Sequence, residues 1–317
     1  MSLEEQLQLK EEELTNLVSS FAAKEGTNVT SISGLEFIRS AKPLVPVHIM
    51  HEPALCIVLQ GRKVISIIGE DFFYGKGEYL VVAVDLPVIG EILQASEMEP
   101  YLCLRLNFNL MQIAEVSKEY KQHSTNHHAT GRGIFVDQTD EVILDALIRL
   151  VKLLHSPDDT EILAPLIIKE ILYRIMQGKH GHTVKSLVAK GSKLSEVAAA
   201  LDYLRNHFSH EIKIDGLAKK VNLSPSALYH HFKQITTMTP VQYQRALRLH
   251  EARRLIIGKK MRVADAAFLV GYESPSYFNR EYRKMFGKPP GKDRKENLNL
   301  YNVYQIKKSH TLRLLSI

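Results

Sequence analysis

The sequence predicts an α+β protein of two domains: a small antiparallel β-barrel or sandwich with a helical hairpin, then an all-α C-terminal domain. Three observations support this fold class. Short runs of β-branched and aromatic residues, punctuated by Gly, Pro and Asp, occupy residues 34–107. Helical periodicity replaces them from about residue 138. One short helical motif is then written twice, starting at Ser224 and at Ser274.

The composition is that of an ordinary globular protein and excludes several classes. The chain has 317 residues, of which 45% are hydrophobic and 24% charged, which is enough for two domains. Its apolar runs are shorter than the roughly 18–20 residues that cross a bilayer, and its acidic start is unlike a secretory signal. Cys56 and Cys103 form neither a CxxC pair nor a disulfide framework. We expect a cytoplasmic protein with no membrane partner.

The charge is divided unevenly along the chain. Residues 193–297 contain 20 Lys and Arg against 10 Asp and Glu, a net charge of +10, whereas the rest contains 21 against 25, a net charge of −4. This asymmetry predicts a polyanionic partner for the C-terminal third. The alternative is a solvated basic face without a partner.

The N-terminal part is predicted to contain a helix at Leu3–Phe21, the strands of residues 34–107 and a helical part at 138–178 that could dimerise. In "YLCLRLN" from Tyr101, alternation puts three leucines on one face and Cys103, Arg105 and Asn107 on the other. One face belongs to the core and the other could line a cavity.

The segment "GKHGHTVKSLVAKGS" is the best candidate for a linker, with the domain boundary near residues 190–192. The predicted domains are therefore 1–190 and 193–297, followed by a tail at 298–317 that has no assigned role.

The doubled motif reads "SPSALYHHFK" from Ser224 and "SPSYFNREYRK" from Ser274, fifty residues apart. Serine is a good helix N-cap, and proline suits the first helical position. The apolar residues that seat each helix are Leu228 and Phe232 in the first copy and Phe278 and Tyr282 in the second. A short helix and a tight turn precede each copy, so each forms a helix-turn-helix unit.

One such unit is a weak signal, but two units joined by one helix in a basic region are more specific. The joining helix, in "PVQYQRALRLHEARRLIIG", is expected to pack through its leucines and Ala252 and to place several basic residues outside. It could present both second helices to successive major grooves, about 34 Å apart. The alternative is an all-helical domain in which the repeat reflects duplication only.

The C-terminal part resembles the AraC/XylS family of bacterial transcriptional regulators, in "AAFLVGYESPSYFNREYRKMFGKPP" and "LAKKVNLSPSALYHHFKQIT". Upstream, "EPALCIVLQGRKVISI" and "LAPLIIKEILYRIMQG" are similar to the regulatory half of a subgroup with a cupin-like N-terminal domain. The resemblance implies a sequence-specific transcription factor, activator or repressor, that responds to a small-molecule effector. Its implied partners are double-stranded DNA, a second copy of the chain and, for an activator, RNA polymerase. Thr237 departs from the family, which usually has Gly there.

The resemblance implies that the second helix of each unit enters the major groove. The residues expected to contact bases are Ser226, Tyr229, His230, Ser276, Asn279 and Arg280. Arg pairs well with guanine and Asn with adenine. The residues expected to contact phosphates are Ser224, Lys233, Ser274, Arg283, Lys284 and Lys288.

For the N-terminal half, the polar residues that could meet a polar or anionic effector inside a barrel are Gln60, Arg62, Tyr79 and Arg105. Each could equally be a satisfied sheet residue. "HIMHE", from His48 to Glu52, is the only candidate metal cluster in the sequence. It is predicted to lie in a loop that precedes the strands. The loop histidines His123, His127 and His128 are expected to be solvated.

We assign no catalytic residue, metal or cofactor. Two other classes stay open from the sequence: a cupin-type metal-dependent enzyme with a helical appendage, and a nonspecific nucleic-acid-binding protein.

Overall fold

The computed structural model describes residues 2–119, 132–189 and 191–296 as a β-sandwich flanked by helices and followed by a helical region. The predictions for His123, His127 and His128, and for the tail at 298–317, lie outside the described residues.

Ten strands are described, in two sheets. They are β1 (Gly26–Val29), β2 (Leu35–Ser40), β3 (Leu44–His51), β4 (Ala54–Gln60), β5 (Arg62–Ile67), β6 (Glu70–Gly75), β7 (Glu78–Val82), β8 (Leu86–Gln94), β9 (Tyr101–Asn107) and β10 (Ile134–Gln138). The order is β1-β2-β9-β4-β7-β10 in one sheet and β3-β8-β5-β6 in the other, and all strand pairs are antiparallel. The two sheets are not closed into a barrel, so the sandwich alternative is the correct one.

Twelve α-helices are described. They are α1 (Leu3–Phe21), α2 (Leu110–Glu119), α3 (Glu141–Lys152), α4 (Pro157–Gln177), α5 (Gly181–Ser186), α6 (Lys193–His207), α7 (Ile214–Lys220), α8 (Pro225–Thr236), α9 (Pro240–Arg253), α10 (Val263–Leu269), α11 (Pro275–Phe286) and α12 (Pro290–Glu296). A 3₁₀ turn at Leu153–His155 joins α3 to α4, and a π-helical turn at Arg254–Gly258 follows α9.

Three elements correct the sequence-based boundaries. The β part extends beyond residues 34–107, because β1 begins at Gly26 and β10 pairs with the distant strand β7. A helix, α2, follows the last predicted strand. The predicted linker contains helix α5, whose residues Thr183 and Val184 are buried. Of these short elements, β10 and α2 are held by contacts distant in sequence, β10 with β7 and α2 with α4 and α5, which local patterns do not show.

The two faces of the six-stranded sheet have different partners, as the alternation in β9 predicts. Leu104 pairs with Phe37 and Ile57, and Phe37 contacts Phe21 of α1, with ring centroids 6.3 Å apart. The leucine face is therefore covered by helices. The opposite face, with Cys103 and Arg105, faces the other sheet and is also buried.

The hydrophobic core does not divide at residues 190–192. One cluster of buried side chains runs from Leu14 through the sandwich to Phe232, Tyr243 and Leu247 in the helical region. A second cluster contains the buried apolar residues from Leu249 to Phe286. The first helix-turn-helix unit thus shares its core with the sandwich, whereas the second unit has its own.

Two helices end in the same left-handed conformation with different residues. Thr237 follows α8 with φ of 63°, and Gly287 follows α11 with φ of 75°. Their amides donate to the carbonyls of Lys233 and Arg283 at 2.8 and 2.9 Å. A β-branched residue in this conformation is strained.

We therefore predict that Thr237→Gly raises the free energy of unfolding by about 1 kcal/mol, because glycine removes the strain. The matched change, Gly287→Thr, should lower it by a similar amount, since a Cβ at Gly287 has nothing within 4 Å. Urea denaturation of the full chain measures both. A Thr237→Gly protein no more stable than wild type, beside a destabilised Gly287→Thr protein, would show that Thr237 is not strained.

Candidate nucleic-acid interface and sandwich interior

The two helix-turn-helix units are built by α7 with α8 and by α10 with α11. Their turns have matching backbones: Asn222 has φ of 58° and Gly271 has φ of 90°. In each turn one amide reaches back at 2.9 Å to a helix carbonyl, from Leu223 to Ala218 and from Tyr272 to Ala267. Glycine is required at 271, because a Cβ there would lie 2.1 Å from the Ser209 carbonyl oxygen.

The repeat is not uniform. The second helices begin fifty residues apart, at Pro225 and Pro275, but the first helices begin 49 apart, at Ile214 and Val263. The second turn therefore has one additional residue, Glu273, between Tyr272 and the capping serine.

Each second helix begins with the predicted cap. The Ser224 hydroxyl accepts a hydrogen bond from the Ala227 amide at 3.2 Å, and the Ser274 hydroxyl accepts one from the Tyr277 amide at 3.3 Å. These contacts satisfy amides that a helix leaves free at its start. The seating residues Leu228, Phe232, Phe278 and Tyr282 are fully buried, as predicted.

The outer faces of α8 and α11 carry the predicted base-contacting residues. All six are exposed to solvent: Ser226, Tyr229, His230, Ser276, Asn279 and Arg280. The Arg280 guanidinium lies 5.0 Å from the centre of the Tyr277 ring, an arrangement that orients it at the helix surface. Among the described residues, none of the sandwich therefore covers these six side chains.

The predicted phosphate-contacting residues differ in their availability. Lys233, Arg283 and Lys284 are exposed. Lys288 is paired with Glu296, with Nζ and Oε2 3.0 Å apart. The two capping serines already use their oxygens as acceptors, so each can offer a phosphate only its hydroxyl hydrogen.

Two arginines of the joining helix, Arg248 and Arg253, point towards neighbouring elements. Arg248 donates to the carbonyl oxygens of Phe208 at 2.6 Å and Gly271 at 2.9 Å. Arg253 is buried in an ion pair with Asp293. Both arginines have structural roles, because each binds groups in other elements and so holds those elements to the joining helix.

The sandwich contacts the helical region through α9, through the ends of α8 and α11, and through Arg205 of α6, which lies 3.1 Å from the Asp85 carboxylate. Arg253 donates to the His48 carbonyl at 3.3 Å, and the Phe286 ring meets the His48 ring edge-on at 5.4 Å. Burial, and then Arg253, lower the pKa of His48 to about 4. The His48 imidazole is therefore neutral at neutral pH. The Tyr243 hydroxyl donates to the Asp85 carbonyl at 3.0 Å.

The structure does not bring the four predicted effector residues together. Gln60 and Arg62 line an open cleft of about 390 Å³ at one end of the sandwich. Tyr79 of β7 lies on the helix-covered face of its sheet, opposite Ile57, so the prediction that its side chain lies in the interior of the β domain was wrong. Burial raises its pKa. Arg105 alone lies between the sheets.

Arg105 belongs to a polar group inside the sandwich that we call the interior cluster: His51, Cys56, Lys63, Cys103 and Arg105. All five are buried. The Nε and Nη2 atoms of Arg105 have no hydrogen-bond partner among the described residues. Lys63 was missed by sequence reasoning, although strict alternation in "RKVISI" would have placed it with Ile65 and Ile67.

The "HIMHE" histidines were wrongly placed in a loop, since both lie in β3. Being three residues apart in a strand, they face opposite sides: His51 enters the interior cluster and His48 meets Phe286. Across the described ranges, no group of three or more His, Cys, Asp and Glu residues is placed to hold a metal ion. In the same part of the chain, no helix has both the length and the apolar character needed to span a membrane.

Two helix-turn-helix units on a common helix, with exposed polar outer faces in a basic region, define a DNA-binding regulator. Two family models match the chain: "AraC-type transcriptional regulator N-terminus" over residues 31–183 and "Helix-turn-helix domain" over residues 217–296. The protein therefore belongs to the AraC family of transcriptional regulators.

Individual relatives match different lengths. The HTH-type transcriptional activator RhaS of Pectobacterium atrosepticum is 35% identical over 100 residues, 32% of this chain and 36% of RhaS, so the chain matches only about a third of that relative. The lactose operon transcription activator of Staphylococcus xylosus is 23% identical over 240 residues, 75% of this chain and 82% of the activator.

Among solved structures, fatty acid-bound ToxT of Vibrio cholerae is similar in fold. Its TM-score is 0.56 at 8% identity, covering 88% of this chain and 99% of ToxT.

Proposed function

We propose that this protein is a sequence-specific transcription activator in which residues 193–297 bind promoter DNA and residues 1–190 sense an effector and dimerise. The observation that carries the proposal is the pair of recognition helices, α8 and α11, whose outer faces are both exposed. Both named sequence relatives are activators, which supports activation and RNA polymerase as a partner. Similarity to regulators also argues against the enzyme alternative.

The expected division of the DNA contacts follows from their chemistry. Arg280 and Asn279 on α11 carry side chains that pair bidentately with guanine and adenine. Arg283, one turn along the same helix, is exposed near its C-terminal end and would meet the phosphate backbone. Arg280 should therefore affect specificity and Arg283 should affect affinity in general.

We predict that Arg280→Ala weakens binding to the preferred site about 10- to 100-fold and changes binding to unrelated DNA little. Binding sites are first selected from a random duplex pool with the full chain, and affinities are then measured at fixed salt. The matched control, Arg283→Ala, should weaken binding to both DNAs alike. Equal losses for Arg280→Ala on both DNAs would assign it to the phosphates, and a pool without a preferred site would favour nonspecific binding.

The interior cluster supports an anionic effector. Arg105 lies opposite Glu36 on β2 and Cys56 on β4, and Lys63 projects from the other sheet. Burial raises the pKa of Glu36 in spite of the nearby guanidinium, so this carboxyl tends towards its neutral form. A buried cation with free donors is costly unless an anion pairs with it. The fatty acid in the ToxT structure is also an acid, which agrees with this chemistry.

We predict that small carboxylic acids and sugar phosphates, but not the matching neutral sugars, raise the thermal unfolding midpoint of the full chain. Arg105→Met should abolish this response, because the guanidinium donors are lost. The control is Arg62→Met, which changes the exposed arginine of the cleft and should leave the response intact. A response lost in Arg62→Met and kept in Arg105→Met would move the effector to the cleft.

Helix α4 supports homodimerisation. Ile162, Leu166 and Tyr173 form a stripe on its outer face and are 70%, 59% and 37% exposed, while its other face packs on α3. Asp158 lies in its first turn and Arg174 in its last. A second copy packed antiparallel would cover the apolar stripe and bring each acidic end to the partner's basic end.

We predict that Leu166→Glu converts the dimer into a monomer in sedimentation equilibrium, since a buried carboxylate would be unpaired at the centre of the interface. The matched control is Val45→Glu on β3, where the native side chain is 64% exposed and outside the stripe. A Leu166→Glu protein that sediments as wild type, or a monomeric wild type, would contradict dimerisation through α4.

A further inference from the structure

The two cysteines of the chain lie against each other inside the sandwich. Cys56 is in β4 and Cys103 in the neighbouring strand β9. Cys56 pairs with Arg105 and Cys103 pairs with Val58, so the cysteines share one face as diagonal neighbours. They are 2% and 1% exposed, and each thiol lies close enough to shift the pKa of the other. Neither has a role in the proposed DNA contacts.

His51 completes a base-and-thiol arrangement. Its Nε2 lies 3.7 Å from the Cys56 sulfur, and its Nδ1 lies 2.8 Å from the Glu52 carbonyl oxygen. Because a carbonyl only accepts hydrogen bonds, Nδ1 carries the hydrogen and Nε2 offers its lone pair to the thiol. Burial lowers the pKa of His51. The ring is therefore neutral and can accept the thiol proton.

The surroundings distinguish the two thiols. The neighbouring Cys103 thiol, then His51 and Arg105, hold the pKa of Cys56 well below its ordinary value. The pKa of Cys103 is raised by Cys56 and by burial. The Cys103 thiol lies 3.5 Å from the Leu104 carbonyl oxygen, an acceptor that keeps the proton on Cys103. Cys56 is thus the nucleophilic cysteine and Cys103 the resolving cysteine.

We propose that Cys56 and Cys103 form a dithiol switch that hydrogen peroxide oxidises to a disulfide. Peroxide is uncharged and close to water in size, which suits a site with no exposed sulfur. This activity goes beyond the proposed DNA-binding function and does not depend on it.

The chemistry is balanced with peroxide as the oxidant. The Cys56 thiolate attacks one peroxide oxygen, the O–O bond breaks, and the departing hydroxide takes the proton held by His51 and leaves as water. Cys56 is then a sulfenic acid. The Cys103 sulfur attacks the Cys56 sulfur, and the sulfenic hydroxyl leaves as a second water with the Cys103 proton. Two thiols and one peroxide give one disulfide and two waters.

The product must alter the sheet. Diagonal neighbours in antiparallel strands have Cα atoms about 7–8 Å apart, whereas disulfides usually need about 5.5–6 Å. The β4–β9 pairing has a register shift between Val58 and Gln60, which gives local freedom to move. Arg105 follows Cys103 by two residues on the same face, so oxidation also changes the interior cluster.

In the test, the reduced full-length protein is treated with peroxide, denatured and alkylated, and its mass is measured by mass spectrometry. We expect wild type to lose both free thiols and about 2 Da, and dithiothreitol to restore them. Cys103→Ser should accumulate a sulfenic acid on Cys56 that dimedone traps. Cys56→Ser should keep its remaining thiol reduced. The His51→Gln protein should be oxidised at least about tenfold more slowly than wild type. The His48→Gln protein, changed on the opposite face of β3, should be oxidised at the wild-type rate.

Two results would overturn the proposal. One is a wild-type protein whose thiols both stay alkylatable under peroxide that fully oxidises free cysteine. The other is Cys103 oxidising in Cys56→Ser as fast as in wild type. Because thiols are counted directly, a failure here is separate from a failure to bind DNA.

Discussion

The arrangement of the helical region depends on the buried ion pair between Arg253 and Asp293. Two nitrogen–oxygen contacts of 2.8 and 3.2 Å join them, and the Tyr282 hydroxyl donates to Asp293 at 2.7 Å. These contacts fix the end of α9 to α11 and α12, and Arg253 also reaches the His48 carbonyl of the sandwich. Removing one member of such a pair costs about 3–5 kcal/mol because a buried charge is left unpaired.

The two recognition helices are held differently. The first unit is continuous with the core of the sandwich, and the second is anchored through polar and aromatic contacts around Phe286. A change in the sandwich can reach the helical region through contacts that include His48 with Arg253, Asp85 with Tyr243 and Arg205, and Gly133 with Ile235. These contacts lie on α6, on α9 or at the end of α8, and the outer faces of both recognition helices stay exposed. Regulation through these contacts would therefore act on orientation and not by covering the DNA-binding surface.

The sequence predicted those features that are encoded locally. The capping serines and the seating residues each follow from a few neighbouring letters, and both are confirmed. The sequence could not show which strands pair, and pairing decides that Tyr79 lies under helices and that Arg105 meets Lys63. It also could not separate the arginines of α9 into surface and buried ones, because Arg253 finds Asp293 forty residues later.

The π-helical turn at Arg254–Gly258 has a consequence for how such regulators can diversify. Each residue added to a helix advances it by about 1.5 Å and turns it by about 100°, and a π turn holds one more residue than the α-helical path it replaces. The number of residues in this short segment therefore helps to set the position of the second unit, beside the packing of α10 and α11 on α9. A single insertion or deletion there would shift the second recognition helix relative to the first over evolutionary time while every side chain on their outer faces stayed the same.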